Sequence, residues 1–210
     1  MIIRKILGLG KDGTLLLKGP HGQEEPVRDQ PPPAIGTAFL LLDCSESMEG
    51  EKLEQARRGA GEFILKSLVK GYGVGLIAFD DRATVLVPRS RDYRDFEKPL
   101  AGLTPGGTTN MTQAFNLALL ALMNIKGPRF VVVVTDGTPD TPGTALAAAQ
   151  KLSLSGVQII TIGTKDADID FLSGIATARD LAVVVRQSNL QLGIAGTAKS
   201  LPLLLPLIPE

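Results

Sequence analysis

The sequence predicts an α/β fold: a doubly wound, mostly parallel, Rossmann-like sheet with one antiparallel strand, flanked by helices and preceded by a β-hairpin. Two observations predict it. Apolar, β-branched runs that suit strands buried on both faces alternate along the chain with amphipathic helical segments. In addition, the runs at 72–79 and 83–88 are joined by the short turn DDR, which suits an antiparallel pair. A chain of 210 residues is long enough for one such domain with modest extensions.

The N-terminal segment is predicted to lie outside this domain. Residues 1–20 hold two short apolar runs on either side of KDG, which predicts a β-hairpin with Gly13 in the turn. Residues 21–35 are polar and rich in proline, which predicts a linker without a helix or a central strand. The stretch GLGKDG also fits a dinucleotide-binding fingerprint, but the following TLLLKGP is too short for the helix that this fingerprint requires.

The domain itself is predicted to span 36–200, with strands and helices in alternation. Strands are predicted from short apolar or β-branched runs, and helices from apolar residues spaced three and four apart. The first helix, for example, has an apolar stripe through Leu53, Ala56, Ala60 and Phe63. In chain order we predict a strand at 37–43, a helix at 52–69, strands at 72–79 and 83–88, helices at 92–103 and 111–124, a strand at 129–136, a helix from 141, a strand at 157–163, a helix at 169–176, a strand at 181–185 and a helix at 188–200. An apolar, proline-containing tail at 201–210 follows.

Oxygen-bearing side chains follow several of these strands. Asp43, Ser45 and Ser47 come directly after the first strand of the domain, Thr108 lies in a glycine-rich loop, and Asp136 ends the strand VVVV. The carboxyl ends of parallel strands share one edge of a sheet, where ligands bind in such folds. Hydroxyl and carboxylate oxygens are hard ligands that suit Mg²⁺, Mn²⁺ or Ca²⁺ rather than zinc.

These residues resemble the von Willebrand factor type A domain family and its metal-ion-dependent adhesion site. DCSES matches the Asp-x-Ser-x-Ser motif, GGT supplies the distant threonine, and VVVVTDG supplies the later aspartate, in the family's order. The resemblance implies that the hydroxyls of Ser45, Ser47 and Thr108 bind a divalent cation, with Mg²⁺ preferred over Mn²⁺ or Ca²⁺. It also implies that Asp43 and Asp136 bind the cation directly or through water. Thr109 is an alternative to Thr108.

The resemblance implies a function as well. We expect a bacterial-type interaction module that is not an enzyme and in which a partner protein's acidic residue completes the coordination of the cation. Intracellular members of this family that consist of one such domain often work beside AAA+ ATPases or in stress-response systems, so an accessory-subunit role is expected.

Composition narrows the expected partners and compartment. Acidic and basic residues balance, so no overall field favours nucleic acid or an anionic membrane. One cysteine and no apolar secretory segment predict a cytoplasmic protein. The tail is too short and too rich in proline to cross a bilayer as a helix, and we expect it to cover a groove of its own domain or to dock on another subunit.

Several alternatives remain open from the sequence. Asp43, Ser45 and Ser47 could cap the following helix, with or without a metal role. Asp43 could be the nucleophile of a Mg²⁺-dependent phosphohydrolase of the haloacid-dehalogenase type, although Ser45 stands where that chemistry places a second aspartate. A metal-free subunit assembled through its tail is a third possibility. Cys44 is expected to be a buried thiol rather than a nucleophile, because the chain's histidine lies in the predicted linker.

Overall fold

The structure, a computed structural model, describes residues 34–202 in full and, of the N-terminal segment, the backbone of residues 6–9, 15–18 and 24–26. Residue contacts divide the chain into two units, Met1–Pro33 and Ala34–Glu210. The first unit contains strands β1 (Ile6–Leu9), β2 (Leu15–Lys18) and β3 (Glu24–Pro26) in an antiparallel sheet of order β1-β2-β3.

The pairing of β1 with β2 is that of the predicted hairpin. Strand β3, however, lies inside the segment predicted to be a linker, so the unit is a three-stranded sheet. The prediction for this segment excluded a helix and a central strand, and β3 is an edge strand that ends at Pro26, where a missing backbone donor is tolerated. The strand β2 also occupies the place where a dinucleotide fingerprint would need a helix, so that alternative is excluded.

The second unit contains a six-stranded sheet. Its strands are β4 (Gly36–Asp43), β5 (Tyr72–Phe79), β6 (Ala83–Ser90), β7 (Arg129–Thr135), β8 (Val157–Thr164) and β9 (Ala182–Val185). The order is β6-β5-β4-β7-β8-β9, and β6 alone runs antiparallel to its neighbour. This arrangement confirms the predicted fold class. The central strands are continuous apolar runs because they are covered on both faces: every residue of β4 is buried.

Helices cover both faces of this sheet. They are α1 (Glu51–Val69), α2 (Arg94–Ala101), α3 (Met111–Leu122), α4 (Pro142–Leu154), α5 (Ile169–Ile175) and α6 (Leu190–Thr197). Buried side chains of α1, α2 and α6 form one core cluster, and those of α3, α4 and α5 form a second on the opposite face. Because β4 and β7 are adjacent and parallel, Asp43 and the segment after Thr135 leave the sheet at the same edge.

Candidate metal centre

The first loop of the site follows β4 and begins at Asp43, the last residue of that strand. Asp43 is fully buried, and Ser45 is almost fully buried beside it. The backbone N–H of Ser45 donates to Asp43 Oδ1 at 2.8 Å, and the Thr135 hydroxyl, from the end of β7, donates to Asp43 Oδ2 at 2.6 Å. The Asp43 carboxylate is therefore fixed by two neighbouring strands.

Burial dominates the electrostatics of this carboxylate. It raises the pKa of Asp43 from 3.8 to about 6, while hydrogen bonds from Ser45 and Thr135 act in the opposite direction and the nearby charge of Asp136 raises the pKa further. The donors from Ser45 and Thr135 are neutral. Their effect does not offset the loss of solvation, so the ionised form of the Asp43 carboxylate is destabilised in the folded protein.

Three further oxygens, from Ser45, Ser47 and Asp136, form a short row. Ser45 Oγ lies 3.1 Å from Ser47 Oγ, and the Ser47 hydroxyl donates to Asp136 Oδ1 at 2.7 Å. Asp136 follows β7 and is 3% exposed. The structure thus brings Ser45, Ser47 and Asp136 together although Asp136 is 89 residues from Ser47 in the chain.

The loop that carries Thr108 docks against the first loop through its backbone. The N–H of Glu46 donates to Gly107 O at 3.1 Å, and the N–H of Gly106 donates to Cys44 O at 2.9 Å. Gly107 has φ of 68° and a Cβ there would lie 2.8 Å from Asp81 Oδ1, so a side chain at this position would be strained. At Gly106 a Cβ would meet open space, so the close approach to a neighbouring residue concerns Gly107.

Thr108 itself makes a contact that the sequence analysis did not anticipate. Its hydroxyl donates to Asp140 Oδ2 at 2.6 Å, and the Thr109 N–H donates to Asp140 Oδ1 at 3.1 Å. Asp140 therefore holds the threonine loop from the segment between β7 and α4. Thr108 is exposed and Thr109 is buried. Exposure favours Thr108 as the residue available to a ligand.

Lys52 is a second residue that sequence reasoning missed. It lies in the first turn of α1, and its ammonium group donates to Asp136 Oδ2 at 2.6 Å. Asp166 Oδ2 lies 3.4 Å from the same ammonium. The hydrogen bond to Asp136 is the main reason that the pKa of Lys52 is raised. A lysine five residues after the Asp-x-Ser-x-Ser segment was the available signal, but the sequence alone gave no reason to bring it back to Asp136.

The donor set fits a hard divalent cation. Adjacent oxygens around octahedral Mg²⁺ at 2.0–2.1 Å from the ion lie about 2.9 Å apart. The spacings of 3.1 and 2.7 Å along Ser45, Ser47 and Asp136 are hydrogen-bond lengths that are also compatible with that value. Among the residues that the structure describes, no group of three or more His, Cys, Asp and Glu side chains could hold a metal ion.

Two of the alternative interpretations lose support from this geometry. Ser45 begins a short 3₁₀ turn at Glu46–Met48, but its side chain makes no capping hydrogen bond, and Gly50 rather than a serine precedes α1. The serine hydroxyls therefore do not act as helix caps. Cys44 is buried, and burial raises the pKa of its thiol to about 12, which agrees with an unreactive thiol.

A family model described as the von Willebrand factor type A domain matches residues 39–195. The chain belongs to this family. Domains of the family are typically non-enzymatic modules that mediate protein–protein interactions. The matched range contains the strand ends and loops that carry the five predicted site residues.

Curated relatives agree with this assignment. A UPF0353 protein of Mycobacterium tuberculosis is 30% identical over 168 residues, which cover 71% of this chain and 49% of the relative. A von Willebrand factor A domain-containing protein of Dictyostelium discoideum is 31% identical over 149 residues, which cover 67% of this chain and 17% of the relative. The chain spans about half the length of the mycobacterial relatives that it matches, and less of the Dictyostelium protein.

Solved structures share the fold. The von Willebrand domain of the type V pilus tip protein Mfa5 from Porphyromonas gingivalis has a TM-score of 0.72 at 14% identity, and the match covers 80% of this chain and 95% of that one. An aerotolerance-related membrane protein from Bacteroides fragilis has a TM-score of 0.60 at 24% identity, and the match covers 79% and 99%. At these identities the likeness concerns the fold. In the part of this chain that the structure describes, no helix is long and apolar enough to span a membrane.

The phosphohydrolase alternative is not supported. The family model that matches the chain is that of a different family. Ser45, rather than an acid, stands two residues after it.

Proposed function

We propose that this chain is a metal-dependent protein-binding module rather than an enzyme. Its cation would be held by hydroxyl oxygens of Ser45, Ser47 and Thr108 and by the carboxylates of Asp43 and Asp136. When bound, the ion would supply a Lewis-acidic centre with a coordination position open to an acidic side chain of a partner protein. Mg²⁺ is the proposed physiological ion, with Mn²⁺ and Ca²⁺ as alternatives.

One observation carries the proposal: the contiguous row of oxygens from Ser45 through Ser47 to Asp136, with the buried carboxylate of Asp43 hydrogen-bonded to the Ser45 N–H at one end. A buried carboxylate held by neutral donors retains charge that a cation would neutralise. The serine hydroxyls are neutral ligands, so the ion would keep much of its positive charge and attract a further anion.

The chain's own residues prepare the site in three ways. Thr135 and the Ser45 N–H fix the Asp43 carboxylate, and Ser47 orients Asp136 through Oδ1. Asp140 holds the Thr108 hydroxyl at the rim. To bind a cation, the Thr108 hydroxyl would have to turn away from Asp140.

Isothermal titration of the metal-free protein with Mg²⁺ and Mn²⁺ tests the proposal. Saturable binding to the wild type is expected, with loss of binding in Asp43→Ala and a loss of at least tenfold in Ser47→Ala. Ser188→Ala is the matched control, because Ser188 is exposed and lies in a 3₁₀ turn outside the site. If Asp43→Ala retained metal affinity while remaining folded, the proposed ligand set would be wrong.

Two simple measurements distinguish the proposed binding module from a phosphohydrolase and from a metal-free subunit assembled through its tail. The binding module should give no turnover of 4-nitrophenyl phosphate with Mg²⁺, whereas a phosphohydrolase would. Removal of the residues beyond Leu201 should leave the oligomeric state unchanged, whereas a metal-free subunit assembled through its tail would dissociate. Residues 203–210 lie outside the described part of the chain, so the tail remains a sequence-based expectation.

The proposal also concerns the cellular compartment and the partner system of the protein. We propose a cytoplasmic accessory subunit of an AAA+ ATPase or of a stress-response system, on the strength of the sequence resemblance and of a composition with one cysteine. Cell fractionation tests the compartment, since one structural neighbour is described as a membrane protein. Capture of an AAA+ ATPase that requires Mg²⁺ and is lost in Asp43→Ala would support the accessory role.

A further inference from the structure

Lys52 places a positive charge inside the proposed site. Its ammonium lies 2.6 Å from Asp136 Oδ2, and the exposed fractions of the two side chains are 18% and 1%. The second carboxylate near this ammonium, Asp166, is 3.4 Å away and 70% exposed. Water screens an exposed charge strongly, so Asp166 offsets little of the lysine's field at the buried end of the contact.

The two oxygens of Asp136 have different partners. Oδ1 accepts from the Ser47 hydroxyl and belongs to the oxygen row, whereas Oδ2 accepts from Lys52. The lysine therefore leaves Oδ1 in place for a cation and does not occupy the row itself. Only the Asp136 carboxylate would separate the Lys52 ammonium from an ion bound at the oxygen row.

The balance of charge follows from these contacts. Asp43 and Asp136 contribute two negative charges, and Lys52 contributes one positive charge. A bound dication would thus leave this group of residues with a net positive charge, where two carboxylates alone would neutralise the ion. An under-neutralised ion is held less tightly and attracts an external anion more strongly.

We propose that Lys52 determines the affinity and the ligand preference of the site: its ammonium weakens binding of a divalent cation by the chain alone and strengthens binding of an external carboxylate to the loaded site. The inference rests on the proposed function and deepens it. Metal and an acidic partner would then bind cooperatively, so that the domain holds its ion tightly only where a carboxylate completes the site.

A purely structural role for Lys52 predicts something different. In that case the ion pair would only pin α1 to the end of β7, and its loss would lower stability without a selective gain in metal affinity. Two variants distinguish the roles: Lys52→Met removes the charge at similar length, and Lys52→Arg retains it. Lys66→Met is the matched control, because Lys66 lies on the same helix and pairs with Glu62 at 3.0 Å on the surface.

The experiment uses the full chain and two titrations. Mn²⁺ is titrated into metal-free protein, and acetate is then titrated into Mn²⁺-loaded protein. A dication and an ammonium about 6 Å apart repel enough for a tenfold change even with the dielectric constant of water. We therefore expect Lys52→Met to bind Mn²⁺ at least tenfold more tightly and acetate at least threefold more weakly than the wild type. Lys52→Arg and Lys66→Met should stay within threefold on both measures.

Each outcome decides the inference. Binding of Mn²⁺ by Lys52→Met where the wild type shows none supports it strongly. Equal Mn²⁺ affinity in wild type and Lys52→Met, a weaker affinity in the variant, or an unchanged acetate affinity overturns it while the proposed metal site stands. Absence of Mn²⁺ binding in both proteins refutes the proposed function and the inference with it.

Discussion

Asp43→Asn should stabilise the metal-free protein at neutral pH. Burial raises the pKa of Asp43 to about 6 from 3.8, so the folded state holds a proton more tightly than the unfolded state does. A raised pKa contributes stability that is complete below the unfolded-state value and is lost as the pH rises through the folded-state value. The difference of about two pKa units corresponds to about 3 kcal/mol, at about 1.4 kcal/mol per unit.

Asparagine can reuse most of the local hydrogen bonds. Its amide oxygen can accept from the Ser45 N–H, and its amide nitrogen can donate to the Thr135 hydroxyl, which can in turn donate to Gly137 O at 3.3 Å. Neutral hydrogen bonds are weaker than those to a carboxylate, so part of the gain is lost. We expect a net gain of about 1–3 kcal/mol in the free energy of unfolding.

Urea denaturation in EDTA measures this gain. At pH 7.5 Asp43→Asn should exceed the wild type by about 1–3 kcal/mol, which is roughly 3–10 °C in Tm for a domain of this size. At pH 4 the gain from burial should shrink to below about 1 kcal/mol, because the folded wild type is then protonated. Asp180→Asn changes the net charge equally at an exposed position and is the control. Equal or lower stability of Asp43→Asn at pH 7.5 would refute the burial argument.

Two further predictions concern packing and the thiol. Gly75→Ala should lower the free energy of unfolding by about 1–3 kcal/mol, because the new Cβ would lie 2.2 Å from the Phe39 ring. Gly196→Ala places its Cβ in open space and should be neutral or stabilising. Urea denaturation of both variants checks this prediction, and equal effects would contradict it. Cys44 should react with Ellman's reagent at pH 8 at least about 100-fold more slowly in the native protein than in urea, because the thiol is buried and burial raises its pKa to about 12. Similar rates in the two conditions would show that the thiol is accessible.

The sheet could be predicted because its signals are local. Strands β4 and β7 are continuous apolar runs, and their alternation with helices restricts the sheet to few topologies. That topology places Asp43 and Asp136 at one edge, so the proximity of the loops that follow β4 and β7 could be predicted from the sequence. The structure adds the direct link between them, the hydrogen bond from Ser47 to Asp136.

The contacts of Lys52 and Asp140 could not be predicted in the same way. Lys52 and Asp136 are 84 residues apart in the chain, and the hydropathy pattern of α1 does not encode a contact between them. Asp140 meets Thr108 because two irregular loops, 32 residues apart in the chain, approach each other. Such contacts depend on tertiary packing, to which periodicity is insensitive.

The two carboxylates of the proposed site are compensated in different ways, and this difference links stability to metal binding. Asp136 has the ammonium of Lys52, whereas the donors that fix Asp43 are neutral. Removing the charge of Asp43 should therefore stabilise the metal-free fold and abolish metal binding. Removal of the Lys52 charge should destabilise the fold, because it leaves Asp136 buried without its partner, and should increase metal affinity. In both variants stability and affinity change in opposite directions, so a melting temperature measured with metal present combines two opposed effects. Each variant must be compared with its own metal-free state before its effect on the site can be assigned.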